Sequence, residues 1–166
     1  MTDTLPLVVV MGVCGCGKST LGTELADRLG VEFRDGDEFH PQANIDKMAA
    51  GHALDDDDRR PWLETISRWL SDQGAAGGVV ACSALKHSYR DILRAHAPGV
   101  AMVHLAGPRE EAARRVALRP GHFMPSSLVD SQYATLQPLM ADERGITLDF
   151  TLDVEALAAE TLAFLR

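Results

Sequence analysis

The sequence predicts an α/β fold built on a parallel sheet, and three observations carry that prediction. Short apolar runs alternate with stretches of helical spacing along the chain. The first run, Leu7-Val8-Val9-Val10-Met11, holds three consecutive β-branched residues and no polar alternation, the pattern of a strand buried on both faces. A glycine-rich turn then leads directly into a helical repeat, as a strand-to-helix crossover requires.

The other elements follow in order. Leu21, Leu25 and Leu29 recur every four residues and predict a helix over Lys18–Leu29, closed by Gly30 as its C-cap. Val31–Arg34 is a second candidate strand, and helical patterns fill Gln42–Ala50 and about Asp58–Gln73. In the latter, Asp58 is expected to cap the helix, with Pro61 in the first turn; Asp55 to Asp58 supply the acids favoured there. Trp62 and Trp69 are seven apart, on one helical face, and are read as core. Val79–Cys82 reads as a third strand, Lys86–His96 as a helix and Val100–Leu105 as a fourth strand. Gly107-Pro108 opens another helix, with Glu110 and Glu111 near its positive end. Ser127–Leu136 is a short helix, Ile146–Leu152 a fifth strand and Glu155–Leu165 a closing helix. Residues 119–142, punctuated by Gly and Pro, are the candidate lid of a single domain spanning 1–166.

Composition narrows the function. The chain has 166 residues, 46% of them hydrophobic, enough for one compact core. A net charge of −8 lacks the basic footprint of a nucleic-acid binder. The run from Leu5 to Val13 is too short to span a bilayer, and Met1 to Pro6 does not read as a signal peptide. Three cysteines, Cys14, Cys16 and Cys82, do not form a disulfide framework, so a reducing cytoplasm is expected.

The chemistry begins at Gly12-Val13-Cys14-Gly15-Cys16-Gly17-Lys18-Ser19-Thr20, which contains G-x-x-x-x-G-K-[ST] between a strand and a helix. Glycines let the backbone wrap a polyphosphate, and its N–H groups form an anion nest at a helix N-terminus. Lys18 is placed to reach the β- and γ-phosphates of ATP, and Ser19 to offer its hydroxyl to Mg²⁺. The loop cysteines fit as small residues; a reactive thiol is the alternative, since helix N-termini lower thiol pKa.

A kinase also needs groups that orient an acceptor hydroxyl. Asp35 and Asp37, two apart at the end of the second strand, would share a face in extended backbone. One would meet the hydroxyl and the other hydrated Mg²⁺, although Asp-Gly is also a common turn pair. His40 follows. Lys86 and Arg90, at i and i+4 of a helix, are candidates to hold an anionic acceptor. Arg114, Arg115 and Arg119 stand at the start of the lid. Of these, Arg115 and Arg119 are the candidates to contact ATP, and Arg119 to neutralise charge on the transferred phosphoryl group.

Taken together, several blocks resemble the gluconokinases of the P-loop small-molecule kinase group. They are Asp35-Gly36-Asp37 with His40-Pro41, Asn44-Ile45 with Lys47-Met48 and Gly51, and Asp56, Asp58-Arg59 and Pro61-Trp62-Leu63. Cys82-Ser83-Ala84-Leu85-Lys86 with Tyr89-Arg90-Asp91, then Arg119, Gly121-His122-Phe123 and Ser131-Gln132, complete the set. The resemblance runs from Val9 to about Glu143. It implies a three-layer αβα P-loop kinase fold with a central parallel sheet of about five strands and a small helical lid. It also implies ATP- and Mg²⁺-dependent phosphorylation of D-gluconate to 6-phospho-D-gluconate by a cytoplasmic homodimer. Asp37 would then meet the acceptor hydroxyl, Asp35 would lie near Mg²⁺, and His40, Arg59, Lys86, Arg90 and His122 would bind the polyol acid. The chain departs from the family pattern at Cys14 and Cys16, where serine is commoner, at Ala53 for proline and at Gln137 for glutamate. A related kinase for shikimate or a nucleotide, and a nucleotide sensor without turnover, are the alternatives. The Cys82–Asp91 and His122 blocks argue against the first, and intact Lys18, Ser19 and Asp37 against the second.

Overall fold

The computed structural model describes residues 4–118 and 126–166. Strands β1 (Leu7–Met11), β2 (Phe33–Asp35), β3 (Gly78–Ala81), β4 (Ala101–Ala106) and β5 (Gly145–Asp149) pair in parallel in the order β2-β3-β1-β4-β5. Helices α1 (Lys18–Leu29), α2 (Gln42–Ala49), α3 (Asp56–Gln73), α4 (His87–His96), α5 (Arg109–Ala117), α6 (Ser126–Thr135) and α7 (Val154–Leu165) surround the sheet. Arg119 and His122, named above as site residues, lie outside the described residues.

The three layers follow from the period of β1. Successive side chains of a strand point to opposite faces. Val8 and Val10 accordingly share one buried cluster with Leu21 and Leu25 of α1 and Leu157 of α7, while Val9 and Met11 share the other with Leu63, Ile66 and Leu70 of α3 and Leu93 of α4. Both faces of β1 are sealed, which is why its sequence is apolar without alternation.

The strand order also places the site. β1 lies between β3 and β4, so the chain leaves it toward one edge of the sheet and later returns on its other side. In open α/β sheets the crevice at such a reversal, beyond the carboxyl ends of the strands, is where ligands bind. The glycine loop follows β1 into that crevice.

Several boundaries differ from the sequence reading, and three of them bear on the site, each for a local reason. α3 is capped by Asp55 rather than Asp58. The Asp55 side chain accepts from the Asp58 N–H at 2.8 Å, and Asp58 accepts in return from the Asp55 N–H at 2.9 Å, a reciprocal box that starts the helix earlier. Pro61 consequently sits beyond the first turn. Pro108 is the N-cap of α5 rather than its first helical residue. Lys86 is likewise the extended N-cap of α4, so it does not share a helix face with Arg90.

Candidate active site

The glycine loop closes tightly because two of its three glycines leave no room for a side chain. Gly12 has φ +150° and Gly15 φ +82°; a Cβ on Gly15 would meet the Ala112 carbonyl oxygen at 2.6 Å, and one on Gly12 the Leu105 carbonyl oxygen at 2.8 Å. The loop can therefore lie directly against β4 and α5. Lys18 begins α1, and its ammonium donates to the Val13 carbonyl at 3.1 Å, folded over the loop. The Cys14 N–H donates to Gln132 Oε1 of α6 at 2.6 Å, which joins the segment expected to form a lid to the phosphate loop. Cys16 is buried, and burial pushes its thiol pKa up despite the neighbouring Lys18 ammonium. Burial pushes Cys82 up to about 12. These two thiols are held protonated and fit the reading of small packing residues.

Asp35 ends β2, and Asp37 lies in a single 3₁₀ turn, Gly36–Phe39, that Asp35 caps. Strand alternation therefore does not bring the two carboxylates together. The Asp37 N–H donates to Asp35 Oδ1 at 3.0 Å, and the capped turn sets their relation. Asp35 Oδ2 accepts from Ser19 Oγ at 3.5 Å, so a hydroxyl and a carboxylate converge beside the start of α1. Hard oxygen donors of this kind suit Mg²⁺, which takes one or two protein oxygens and keeps phosphate and water as its other ligands. The Asp37 side chain is 87% exposed to water but stands among protein groups in the cleft. Reduced hydration there, and then the Asp35 charge, raise its pKa above the usual carboxylate value, with His40 and Lys18 opposing.

His40 stacks on Trp62 with ring centroids 4.2 Å apart, and Trp62 Nε1 donates to the Gly36 carbonyl at 2.7 Å. The two aromatic rings brace the turn that carries Asp37. Burial lowers the His40 pKa, so the ring is neutral at neutral pH. Its tautomer follows from Asn44. The Asn44 amide nitrogen donates to the Asp58 carbonyl at 2.9 Å, which fixes the amide's orientation and aims its second N–H at His40 Nδ1, 3.3 Å away. Nδ1 is then the acceptor, and the proton resides on Nε2, 3.9 Å from Asp37.

A charged chain continues from His40. Arg59 donates to the Tyr89 hydroxyl at 3.2 Å, Tyr89 donates to Asp56, and Lys86 Nζ lies 3.1 and 3.2 Å from the Asp56 oxygens. The hydrogen bond from Tyr89, then that from Lys86, lowers the Asp56 pKa; the bond to Asp56 raises that of Lys86. Two cations and one carboxylate leave an excess positive charge beside the N-terminus of α4, the positive end of its dipole. Asp56 and Tyr89 were not singled out as site residues by the sequence reading, because an acid in a first helical turn and an aromatic in a helix have ordinary explanations.

Arg90 does not meet the expectation that it binds the acceptor. Its side chain is fully buried and bonded to Glu143 at 2.7 and 3.1 Å, to the Ala84 carbonyl at 2.9 Å and to the Pro138 carbonyl at 3.3 Å. Ala84 has φ +42°, a left-handed conformation disfavoured for alanine. Arg90 thus braces a strained turn beneath Lys86 and has no face toward the crevice.

On the other side of the glycine loop, Arg115 links three elements. It donates to the Gly15 carbonyl at 3.5 Å and the Phe150 carbonyl at 3.0 Å, pairs with Glu111, and lies 4.9 Å above the Phe150 ring. A cavity of about 190 Å³ opens beside it, lined in part by Thr20, Leu21, Phe150, Leu152 and Val154. This slot, lined by apolar side chains together with Thr20 and the Arg115 cation, is contiguous with the phosphate loop.

Known proteins share this architecture. Residues 14–161 match the family model described as Shikimate kinase. A gluconokinase of Gluconobacter oxydans is 49% identical over 138 residues, which cover 82% of this chain and 78% of the relative. The thermoresistant gluconokinase of Escherichia coli is 37% identical over 163 residues, covering 96% and 93%. The crystal structure of a gluconokinase from Sinorhizobium meliloti superposes with a TM-score of 0.88 at 44% identity, covering 98% of this chain and 93% of that one. With identities of this size over most of both chains, and a five-stranded sheet in common with P-loop kinases, the chain belongs to the gluconokinase family.

Proposed function

We propose that this protein transfers the γ-phosphoryl group of ATP to the primary hydroxyl of D-gluconate, giving ADP and 6-phospho-D-gluconate. The observation that carries the reading is the pairing across one crevice of a phosphate loop with Asp37 and a cationic chain, Arg59–Tyr89–Asp56–Lys86. A polyol acid has a hydroxyl at one end and a carboxylate at the other, and the crevice offers a group for each.

In this reading the N–H groups of Gly15, Gly17, Lys18 and Ser19 and the Lys18 ammonium hold the phosphates, while those of Gly12 and Cys14 are bonded to Ser83 and Gln132 and shape the loop. Asp37 orients the acceptor hydroxyl and receives its proton as the new O–P bond forms and the bond to the ADP oxygen breaks. Neutral His40 donates from Nε2 toward Asp37 or the polyol, and Lys86 and Arg59 take the carboxylate. Ser19 directly, and Asp35 through water, would hold Mg²⁺, which when bound neutralises charge on the β- and γ-phosphates. The slot beside Arg115 suits the base of the nucleotide. The lid is proposed for residues 119–142; within it Val129 is buried in the core and Gln137 and Pro138 are bonded to the turn before α4, so that part is anchored on the body of the domain. Arg119 and His122 keep their proposed roles in transfer and in polyol binding on the strength of the family pattern, as do the homodimer and the cytoplasmic location. Among the described residues no helix is long and apolar enough to cross a membrane.

The reading is tested by coupled ADP release with gluconate, other sugar acids, shikimate and nucleoside monophosphates as acceptors. Gluconate should give the highest kcat/KM. Turnover of shikimate with none of gluconate would replace the proposal with the activity for which the matched family model is named. The nucleotide side has its own check. Arg115→Ala should raise KM for ATP roughly tenfold and leave KM for gluconate within about twofold, because the substitution removes one charged contact on the donor side alone.

A further inference from the structure

The acceptor lysine is held from outside its own segment. Lys86 is the N-cap of α4 but contributes no side-chain cap bond. The peptide groups on both sides of it are instead bonded to one residue. The Gln137 N–H donates to the Leu85 carbonyl at 2.7 Å, and Gln137 Oε1 accepts from the His87 N–H at 2.7 Å. The second bond satisfies one of the N–H groups that every helix leaves open at its start. Lys86 is therefore the single residue between two clamped peptide units.

Gln137 is itself anchored. The Leu136 N–H donates to the Gln132 carbonyl at 2.9 Å, closing the last turn of α6, and the Gln132 side chain holds the Cys14 N–H of the phosphate loop. Next in the chain, the Pro138 carbonyl accepts from buried Arg90. The short run from Gln132 to Pro138 thus spans from the phosphate loop to the turn that carries Lys86.

We propose that Gln137 is a positioning residue for Lys86, and that through Lys86 it sets the affinity for the carboxylate end of the acceptor. The inference rests on the reading that Lys86 holds that carboxylate. The side-chain oxygen of Gln137 fixes the first peptide of α4, which fixes the direction in which Lys86 leaves the backbone. Asp56 then selects the rotamer by pairing with the ammonium. Without Gln137 Oε1, the cap is free to rotate and the ammonium is spread over more positions, so the acceptor must order it on binding. Glutamate has the same reach and also accepts from an N–H, so it can replace glutamine in this role.

The test is steady-state kinetics of Gln137→Ala, Gln137→Glu, Lys86→Ala and the Lys86→Ala/Gln137→Ala double variant, with melting temperatures for all four. Gln137→Ala should raise KM for gluconate about fivefold, the size expected for one lost hydrogen bond, with kcat and KM for ATP within about twofold of wild type. Gln137→Glu should return KM for gluconate to the wild-type range. In the Lys86→Ala background, Gln137→Ala should add nothing, because the residue through which it acts is gone. If Lys86→Ala raises KM for gluconate but Gln137→Ala does not, or if the two effects add, the proposal is overturned while the reading of Lys86 stands. If Lys86→Ala leaves KM for gluconate unchanged, the reading of Lys86 itself fails. A parallel rise in both KM values with a lowered melting temperature in Gln137→Ala would mark a purely structural role and also overturn the proposal.

Discussion

Asp37→Asn is expected to lower kcat at least about a hundredfold while the affinity for ATP stays within about twofold, because it removes the proton acceptor and leaves the phosphate loop intact. The carboxylate is nearly isosteric with the amide, so the acceptor still fits. Two further readouts separate this outcome from a folding defect. The Asp37 pKa is raised in the folded protein, by reduced hydration first and by Asp35 second. A base must be ionised to act, so the acid limb of kcat/KM in the wild-type enzyme should lie above the ordinary aspartate value of 3.8. Stability runs in the opposite direction. A folded carboxyl with a raised pKa holds its proton more tightly than the unfolded chain does, so ionising it favours unfolding. The cost is absent below the unfolded pKa and grows as pH rises through the folded one. Asp37→Asn should therefore melt no lower than wild type at neutral pH, with at most a small gain, since water screens a side chain that is 87% exposed. Near-normal turnover in this variant would remove Asp37 from the chemistry. A fall in melting temperature alongside lost turnover would assign it a structural role instead.

The part of this site that the sequence made legible is the part fixed by local chemistry. The bounds of α1 follow from a four-residue leucine repeat and a C-cap glycine, and the phosphate loop follows from a spacing of glycines that few other structures need. β1 is legible for a similar reason, since a strand sealed on both faces must be apolar throughout. Relations between distant segments were not legible. Arg90 looks like an exposed cation one helical turn from Lys86; only the fold brings Glu143 to it, fifty-three residues away. Gln132 and Gln137 enter the sequence reading only through the family pattern, as a match and a departure, because a glutamine on a short helix or in a loop is most often solvated and carries no physical signal of its own. The cap of α3 lies three residues before the one the sequence suggests, for a subtler reason. Every residue from Asp55 to Asp58 is a competent cap, and the choice falls to Asp55 once Asp58 completes the reciprocal box and accepts from Lys47.

Glu143→Gln is expected to destabilise the fold by about 3–5 kcal/mol, the usual result of leaving a buried charge without its partner. The Glu143 side chain is 1% exposed and accepts from Arg90, Arg94 and the Met140 N–H. Burial alone would push its pKa up, but the hydrogen bond from Arg90, then those from Met140 and Arg94, outweigh it and hold the carboxyl at about 2. The sign of the pH effect follows. The folded pKa is depressed, so the carboxylate's contribution is complete above the ordinary value of 4.5 and is lost as pH falls from there toward about 2. Urea unfolding of the wild type should lose stability across that window, and Glu143→Gln should be flatter there because its side chain does not titrate. A second variant separates charge from shape. In Arg90→Met/Glu143→Leu both buried charges are gone, while Arg94 keeps Asp91 at 2.8 Å. Such replacements are often neutral or better for stability, so most of the loss should be recovered. KM for gluconate should nevertheless stay raised, because the Ala84 and Pro138 carbonyls beneath Lys86 have lost the guanidinium that held them. If Glu143→Gln unfolds within about 1 kcal/mol of wild type, the ion pair is not the brace described here. If instead the double variant recovers both stability and KM, the pair holds the fold together but does not position the acceptor lysine, since packing alone would then suffice to seat the turn.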